Sequence, residues 1–317
     1  MLAGCTGGSN NSNNSTNEAA NQETKTYNFL DAKEKTFDGF SVHWLKDNAE
    51  DKNFPFDLFG NIPESIRQEV NLPDDGIPSS MSAYLIKSNG KNILFDSGLG
   101  EKSGGQLIPQ LQSYGVAPEN IDYVYITHFH GDHIGGMLTP DGEKVFTNAE
   151  VYVSQLEKDS DLGKGEQAAK MIEKYGDKIH TVNFGDTLPE DVKAIKAIGH
   201  TPGHTVYQKG NVLIIGDLMH AFAIQVNHPE INANFDGDKD QAASTRKNFG
   251  LGTLLSYPVA KKSLTCLQLN DEFFRIVGQQ PFMSWSLILR LHANACKHHG
   301  QYQNDTLASW FHHNNLI

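Results

Sequence analysis

A ten-residue stretch near the middle of the chain carries four side chains of the kinds that bind metal ions. In THFHGDHIGG, which starts at Thr127, these are His128, His130, Asp132 and His133. Imidazoles and carboxylates that converge on a cation form a hydrolytic site when one coordination position stays open for water. Residues two apart in an extended segment face the same side, so the first two histidines are expected to bind one ion and the last pair a second position nearby. The alternative is a polar cluster on a surface loop.

The predicted elements before this stretch explain how it is positioned. MSAYLIK from Met81 and NILFDSG from Asn92 are apolar-rich runs around a short Asn-Gly turn, which predicts a β-hairpin. QLIPQLQSY (106–114) predicts a helix, and DYVYIT from Asp122 predicts a strand that ends at the histidines. The metal-binding side chains are therefore expected on a loop at a strand end.

The elements after the stretch alternate in the same way. EVYVS and VKAIKAI predict strands, and GEQAAKMIEKY (165–175) predicts a helix. GHTPGHT predicts a loop, and NVLIIGD predicts a strand that ends in Asp217. Strands that alternate with helices and carry polar clusters at their ends indicate an α/β layered fold with its active site at one edge.

These motifs together resemble the metallo-β-lactamase superfamily. Its H-x-H-x-D-H signature is matched by the four residues of the stretch, and AIGHTPGHTVY resembles its later histidine loop, with His200 at the ligand position. Asp217 falls where the family places a carboxylate that bridges two metals. The resemblance covers about Met81 to Lys247, and it implies a four-layer αβ/βα sandwich built as one domain.

The resemblance also implies a ligand set and a mechanism. One metal would be bound by His128, His130 and His200 and the other by Asp132 and His133, with Asp217 shared. Two zinc ions per chain are expected, with a hydroxide between them that attacks an electrophilic carbonyl or phosphoryl centre. Asp132 is expected to be catalytic as well, because it can orient that water and pass a proton to the leaving group.

Three further polar residues are expected around the metals. Asp96 of FDSG either braces the histidine loop, as in the family, or is an ordinary turn aspartate. His204 is expected to be a buried hydrogen-bonding residue and not a ligand. His220 is expected to pack beside the site in preference to contacting metal or substrate.

The segment around Asp217 narrows the branch of the family. GDLMHAFAIQVNHPEINANFD resembles the corresponding segment of the methyl parathion hydrolase and acyl-homoserine lactone lactonase-like group. The expected substrate is accordingly a small ester, lactone or phosphotriester. The family completes its second metal with one more histidine 40 to 60 residues after the bridging aspartate, and no segment of that kind follows here. The alternative is therefore a degenerate or non-catalytic metal-binding protein.

Composition divides the chain into three parts: 1–25, 26–249 and 250–317. The first is a polar linker, the second the predicted hydrolase domain and the third an atypical tail in which acidic residues nearly vanish. The tail is interpreted as the product of a reading-frame shift, or as a lineage-specific segment that supplies its own ligand.

Charge and cysteine content restrict partners and location. A net charge of −12 disfavours nucleic acid, because such partners need a basic surface. No apolar run reaches the roughly 20 residues of a membrane-spanning helix. Cys5 lies in MLAGC, which resembles a bacterial lipobox, and the polar stretch after it would act as a tether. A lipid anchor on Cys5 in the cell envelope is expected, with the signal peptide upstream; the alternative is a disordered N-terminus with a chance LAGC.

Overall fold

The computed structural model describes residues 34–249, apart from Asp51, Asn61, Asn71 and Asn211, together with Phe274–Ile276. The predicted linker 1–25, Cys5 and all but three residues of the tail 250–317 lie outside the described residues. The strands are β1 (Glu34–Phe37), β2 (Phe40–Lys46), β3 (Lys52–Phe54), β4 (Ile77–Ser79), β5 (Ser82–Ser88), β6 (Lys91–Phe95), β7 (Tyr123–Tyr125), β8 (Glu150–Ser154), β9 (Ile179–Val182), β10 (Thr187–Leu188), β11 (Val192–Lys196), β12 (Thr205–Lys209), β13 (Val212–Ile214) and β14 (Phe274–Ile276). The helices are α1 (Glu64–Val70), α2 (Leu107–Ser113), α3 (Gly131–Ile134), α4 (Gln155–Asp159), α5 (Asp161–Lys164), α6 (Glu166–Tyr175), α7 (Phe222–Gln225) and α8 (Lys239–Asn248).

The first sheet has seven strands in the order β1-β2-β5-β6-β7-β8-β9. Its strands are antiparallel from β1 to β6 and parallel from β6 to β9. The predicted hairpin is confirmed as β5 and β6, and its turn places Asn89 at φ 49° and Gly90 at φ 76°. Two successive positive φ angles match the right-handed twist of the strands, and asparagine and glycine tolerate them best.

The second sheet has the order β10-β11-β12-β13-β14. Its pairs are antiparallel except for β13 with β14, which are parallel. β11, β12 and β13 follow one another through loops, which agrees with the predicted loop GHTPGHT between two strands, whereas β12 is a strand that was not predicted. A third, two-stranded sheet pairs β3 with β4.

Four layers result from how these sheets bury their faces. Tyr84 and Ile86 of β5 point into a core shared with Tyr207 and Ile214 of the second sheet, whereas Leu85 between them joins a core with α2 and α6. On the far side, the second sheet packs against apolar side chains from the 215–226 segment, including α7, and from the end of α8. Because both faces of each sheet are covered, the chain forms the expected αβ/βα sandwich.

The predicted helices and one predicted strand can be compared directly with the structure. The predictions for 106–114 and 165–175 are confirmed as α2 and α6. The prediction that a strand ends in Asp217 is wrong, because β13 ends at Ile214 and Asp217 lies in a 3₁₀ turn. Gly216 adopts a positive φ of 50°, a conformation that ends the strand and allows the turn. No helix within the described part of the chain is long and apolar enough to cross a membrane.

Candidate metal centre

Three histidines meet at one end of the two sheets. His128 and His130 follow β7, and His200 lies in the loop between β11 and β12. Nε2 of His128 lies 3.0 Å from Nδ1 of His130, and Nε2 of His200 lies 2.9 Å from that Nδ1 and 3.2 Å from Nε2 of His128. Two nitrogens bound to one tetrahedral zinc at 2.0–2.1 Å are about 3.3–3.4 Å apart. The nitrogen triangle is therefore close to the size that a zinc ion requires.

The hydrogen bonds behind these rings show which nitrogens carry lone pairs. Thr127 Oγ1 donates to Asp96, so it accepts from Nδ1 of His128 at 3.0 Å. Nδ1 of His200 donates to Asp236 Oδ1 at 3.0 Å. A neutral imidazole that donates through Nδ1 presents an unprotonated Nε2. His128, and His200 once a cation displaces its Nε2 proton, thus face the triangle with lone pairs, an arrangement that fits a metal ion.

Asp217 joins this triangle to a second set of donors. Its Oδ2 lies 3.3 Å from Nε2 of His200 and 3.7 Å from Nε2 of His128, while its Oδ1 lies 3.1 Å from Nε2 of His133. The metal-binding atoms of the three histidines and Asp217 all lie within 4.8 Å of one another. One buried carboxylate therefore faces the triangle with one oxygen and His133 with the other.

The second set of donors is less compact. Oδ2 of Asp132 lies 3.8 Å from Nε2 of His133, and the Asp132 side chain is partly exposed, whereas that of His133 is buried. Of the groups in the described residues that could hold an ion, none contains Asp132 or His133. The structure thus brings His133 against Asp217 and leaves Asp132 at the solvent-facing side of the same site.

Asp96 orients two histidines of the stretch, His133 directly and His128 through Thr127. Its Oδ2 lies 2.7 Å from Nδ1 of His133 and accepts from Thr127 Oγ1 at 2.8 Å, and its Oδ1 accepts from the Thr127 amide at 2.7 Å. It adopts a positive φ of 59°, which aspartate tolerates better than most residues. Of the two roles considered for Asp96, these contacts match the bracing role.

The protonation of the site follows from burial and from the carboxylates. Burial lowers the pKa of His130 to about 4. Burial also opposes the charged form of His200, but hydrogen bonds to Asp217 and Asp236 outweigh it and raise its pKa to about 9. The pKa of Asp217 is well below its ordinary value because, against the effect of burial, His133 and His220 favour the carboxylate. The centre therefore combines an anion with imidazoles of very different basicity.

His204 and His220 have distinct contacts with Asp217. Nδ1 of His204 donates to the Ala197 carbonyl at 3.0 Å, and its Nε2 accepts from the Asp217 amide at 3.0 Å. Both ring nitrogens are thus used, so His204 has the hydrogen-bonding role expected of it. Nε2 of His220 donates to Asp217 Oδ2 at 3.1 Å, a contact with a candidate ligand that goes beyond packing.

Glu157, which sequence reasoning did not single out, connects the two histidine loops. This buried carboxylate in α4 accepts from the Phe129 amide at 2.9 Å, from Thr201 Oγ1 at 2.8 Å and from the Gly203 amide at 2.8 Å. Phe129 lies between two candidate ligands, and Thr201 follows a third. In sequence, Glu157 is indistinguishable from a surface charge of a short helix.

Asp236 and Arg246 were also missed. Asp236 lies in a turn, FDGD, whose aspartates are common for local reasons. Arg246 is in α8, where its buried guanidinium lies 3.2 Å from Asp236 Oδ2. No signal in the sequence connects either residue to His200.

Two glycines after His133 allow the histidine loop to approach the 97–99 segment closely. A Cβ on Gly135 would lie 2.2 Å from the Leu99 carbonyl oxygen, and one on Gly136 would lie 2.2 Å from that of Ser97. The Ser97 amide donates to the His133 carbonyl at 2.7 Å. Backbone contacts between the two loops therefore help to fix the position of His133.

Known proteins are similar to this chain in sequence and in fold. A curated relative, the beta-lactamase-like protein 2 homolog of Caenorhabditis elegans, is 30% identical over 125 residues, which are 39% of this chain and 37% of that protein. The chain thus spans less than two fifths of that relative. The solved structure of hydrolase AbOPH, of the beta lactamase superfamily, is 26% identical with a TM-score of 0.65, covering 78% of this chain and 90% of the other.

A second solved structure supports the fold. AidC, a dizinc quorum-quenching lactonase, has a TM-score of 0.64 at 24% identity, covering 80% of this chain and 91% of the other. The model of the metallo-beta-lactamase superfamily matches residues 77–253, which agrees with the region delimited by the motifs and includes every candidate ligand described above. The chain belongs to the metallo-beta-lactamase superfamily.

Proposed function

We propose that this chain is a dizinc hydrolase that acts on a small ester, lactone or phosphotriester. The observation that carries the proposal is the position of Asp217, whose two oxygens face two sets of imidazole nitrogens. The dizinc lactonase AidC, whose fold is similar, agrees with such a pair of ions. When bound, two ions would lower the pKa of a water and polarise the substrate.

The candidate residues would have distinct roles as metal ligands and in catalysis. His128, His130 and His200 would hold the first ion, because their nitrogens already converge. His133 and Asp132 would hold the second, with Asp217 shared. Asp132 would also orient the attacking water and carry a proton to the leaving group, since it is the ligand candidate of that pair with access to solvent.

A metal analysis combined with a substrate panel tests the proposal. The full chain is loaded with zinc and freed of excess, its metal content is measured, and turnover is assayed with a γ-lactone, an aryl ester and an aryl phosphotriester. Two bound zinc ions per chain, the first bound more tightly, and turnover of one substrate class are expected. Less than one bound metal and no turnover would contradict the proposal.

His128→Ala provides the matched control for the assignment of the centre. Loss of one of three imidazoles removes both affinity and geometry, so the variant should lose its first zinc and its activity. His180→Ala, at a partly exposed histidine of β9, should change neither. Activity of the His128 variant with added zinc would show that the centre is assigned wrongly.

A non-catalytic metal-binding protein is the second candidate. It is favoured by the looseness of the second set, in which Asp132 lies 3.8 Å from His133 and joins no compact group of ligands within the described residues. One zinc per chain without turnover of any panel substrate would support this candidate over the hydrolase.

We further propose that the substrate is a small molecule and that a lipid on Cys5 anchors the chain in the cell envelope. The net charge of −12 supports the first part and the sequence MLAGC the second. Mass spectrometry of the membrane fraction should detect a lipid-modified N-terminal cysteine. A soluble chain that begins with an unmodified Met1 would contradict the anchor.

A further inference from the structure

Arg246 is a large cation buried beneath the candidate metal centre. Its side chain is 1% exposed, although arginine is rarely buried without a partner. Burial lowers its pKa, but Asp236 favours its charged form. The mechanism proposed above uses neither residue.

The guanidinium holds the 229–236 segment at three points. Nε donates to the Pro229 carbonyl at 2.9 Å, Nη1 donates to Asp236 Oδ2 at 3.2 Å, and Nη2 donates to Asn232 Oδ1. The planar guanidinium directs its N–H groups to three separate acceptors at once, which the single ammonium group of lysine cannot do. Arg246 thus fixes both the path of the segment and the plane of the Asp236 carboxylate.

Asp236 connects Arg246 to the candidate metal centre, because its carboxylate contacts both Arg246 and His200. Its Oδ2 also accepts from the Ala233 amide at 3.1 Å, so its remaining oxygen, Oδ1, is directed at Nδ1 of His200, 3.0 Å away. A histidine ligand commonly donates its second ring nitrogen to a carboxylate, which fixes its tautomer and its orientation. The contact with Asp236 thus helps to orient the ring whose Nε2 faces the triangle.

We propose that Arg246 is a positioning residue for the metal centre, acting through Asp236 on His200. A buried ion pair contributes little net stability compared with an apolar pair, so the expected effect is on the geometry of the ligand. The inference rests on the proposed metal centre and adds to it the support that presents one of its ligands.

A double-mutant cycle on zinc affinity tests the inference. Zinc dissociation constants are measured by chelator competition for the full chain and for Arg246→Met, Asp236→Asn and the double variant. Each single change should weaken zinc binding about 10-fold, and the double variant should also be weakened about 10-fold and not about 100-fold. The effects should coincide because asparagine has only one acceptor oxygen, which can face either His200 or Arg246 but not both, so Asp236→Asn already breaks the link between them.

A spectroscopic measurement separates positioning from a structural role. The visible spectrum of the cobalt-loaded protein should change in both single variants, because the ring of His200 is no longer held in one plane. Lys247→Met, an equal loss of charge at the exposed neighbour in α8, should leave the spectrum and the affinity unchanged.

The possible outcomes distinguish this inference from the proposed function. If Arg246→Met changes neither the zinc affinity nor the cobalt spectrum, the positioning role of Arg246 is overturned. Additive effects in the double variant would overturn it as well. Both results would leave the proposed function standing. A wild-type chain that binds no zinc would overturn both the positioning role and the proposed function.

If Arg246→Met does not fold, the comparison of Asp236→Asn with the double variant, which buries no unpaired charge, still tests the route. Replacing Arg246 should not weaken zinc binding further once Asp236 is changed, and a further 10-fold loss would overturn the inference.

Discussion

The replacement Glu157→Ala should damage the fold and the metal centre together. Glu157 is fully buried and is the acceptor for two backbone amides and one hydroxyl. Each buried donor left without an acceptor costs about 1–3 kcal/mol, which sums to about 3–9 kcal/mol. Burial raises the pKa of Glu157, a sign that its carboxylate is itself costly to bury, and this offsets part of the loss. A decrease of about 3–5 kcal/mol in the free energy of unfolding is expected.

Urea unfolding of the metal-free protein measures the stability effect, and chelator competition measures zinc affinity. Because Glu157 holds the amide between His128 and His130 and the residue after His200, zinc affinity should fall about 10- to 100-fold. Glu173→Ala, the same change at an exposed position of α6, serves as the control. Glu157→Ala with a free energy of unfolding within about 0.5 kcal/mol of the wild type and unchanged zinc affinity would refute the reasoning.

Three further predictions concern the surroundings of the site. Gly135→Ala should lower the free energy of unfolding by about 1–3 kcal/mol in thermal denaturation, since its Cβ would lie 2.2 Å from a carbonyl oxygen, whereas Gly131→Ala would meet only the flexible end of a glutamine. His204→Ala should lower the free energy of unfolding by about 2–4 kcal/mol, because His204 accepts the hydrogen bond of the Asp217 amide. It should also weaken zinc binding, while metal analysis should find the same number of zinc ions per chain. Because burial raises the pKa of Glu157, the folded chain binds this proton more tightly than the unfolded chain does. The free energy of unfolding due to this group should therefore fall as the pH rises above the ordinary glutamate pKa of about 4.3, and urea unfolding of Glu157→Gln should lack that slope.

Local patterns made part of the architecture predictable. The Asn89-Gly90 turn fixes its hairpin because both residues adopt positive φ, and the apolar spacing of α2 and α6 reports a face that each helix buries. The antiparallel order of the second sheet was not predicted. Its strands are only two to five residues long and are joined by loops, so their pairing depends on contacts with the first sheet.

The residues of the candidate site were likewise predictable only in part. His128, His130 and His200 lie in recognisable motifs, and the structure brings their ring nitrogens together. Glu157 and Arg246 form their essential hydrogen bonds with residues 10 to 46 positions away, and only the folded chain brings them together. A buried charge therefore looks like a surface charge in the sequence.

Anomalous diffraction at the zinc absorption edge, from crystals of the zinc-loaded full chain, tests the central claim most directly. One strong peak is predicted among Nε2 of His128, Nδ1 of His130, Nε2 of His200 and Oδ2 of Asp217, with a second, weaker peak between Oδ1 of Asp217 and His133. Zinc bound elsewhere, or no peak at these four atoms, would contradict the account.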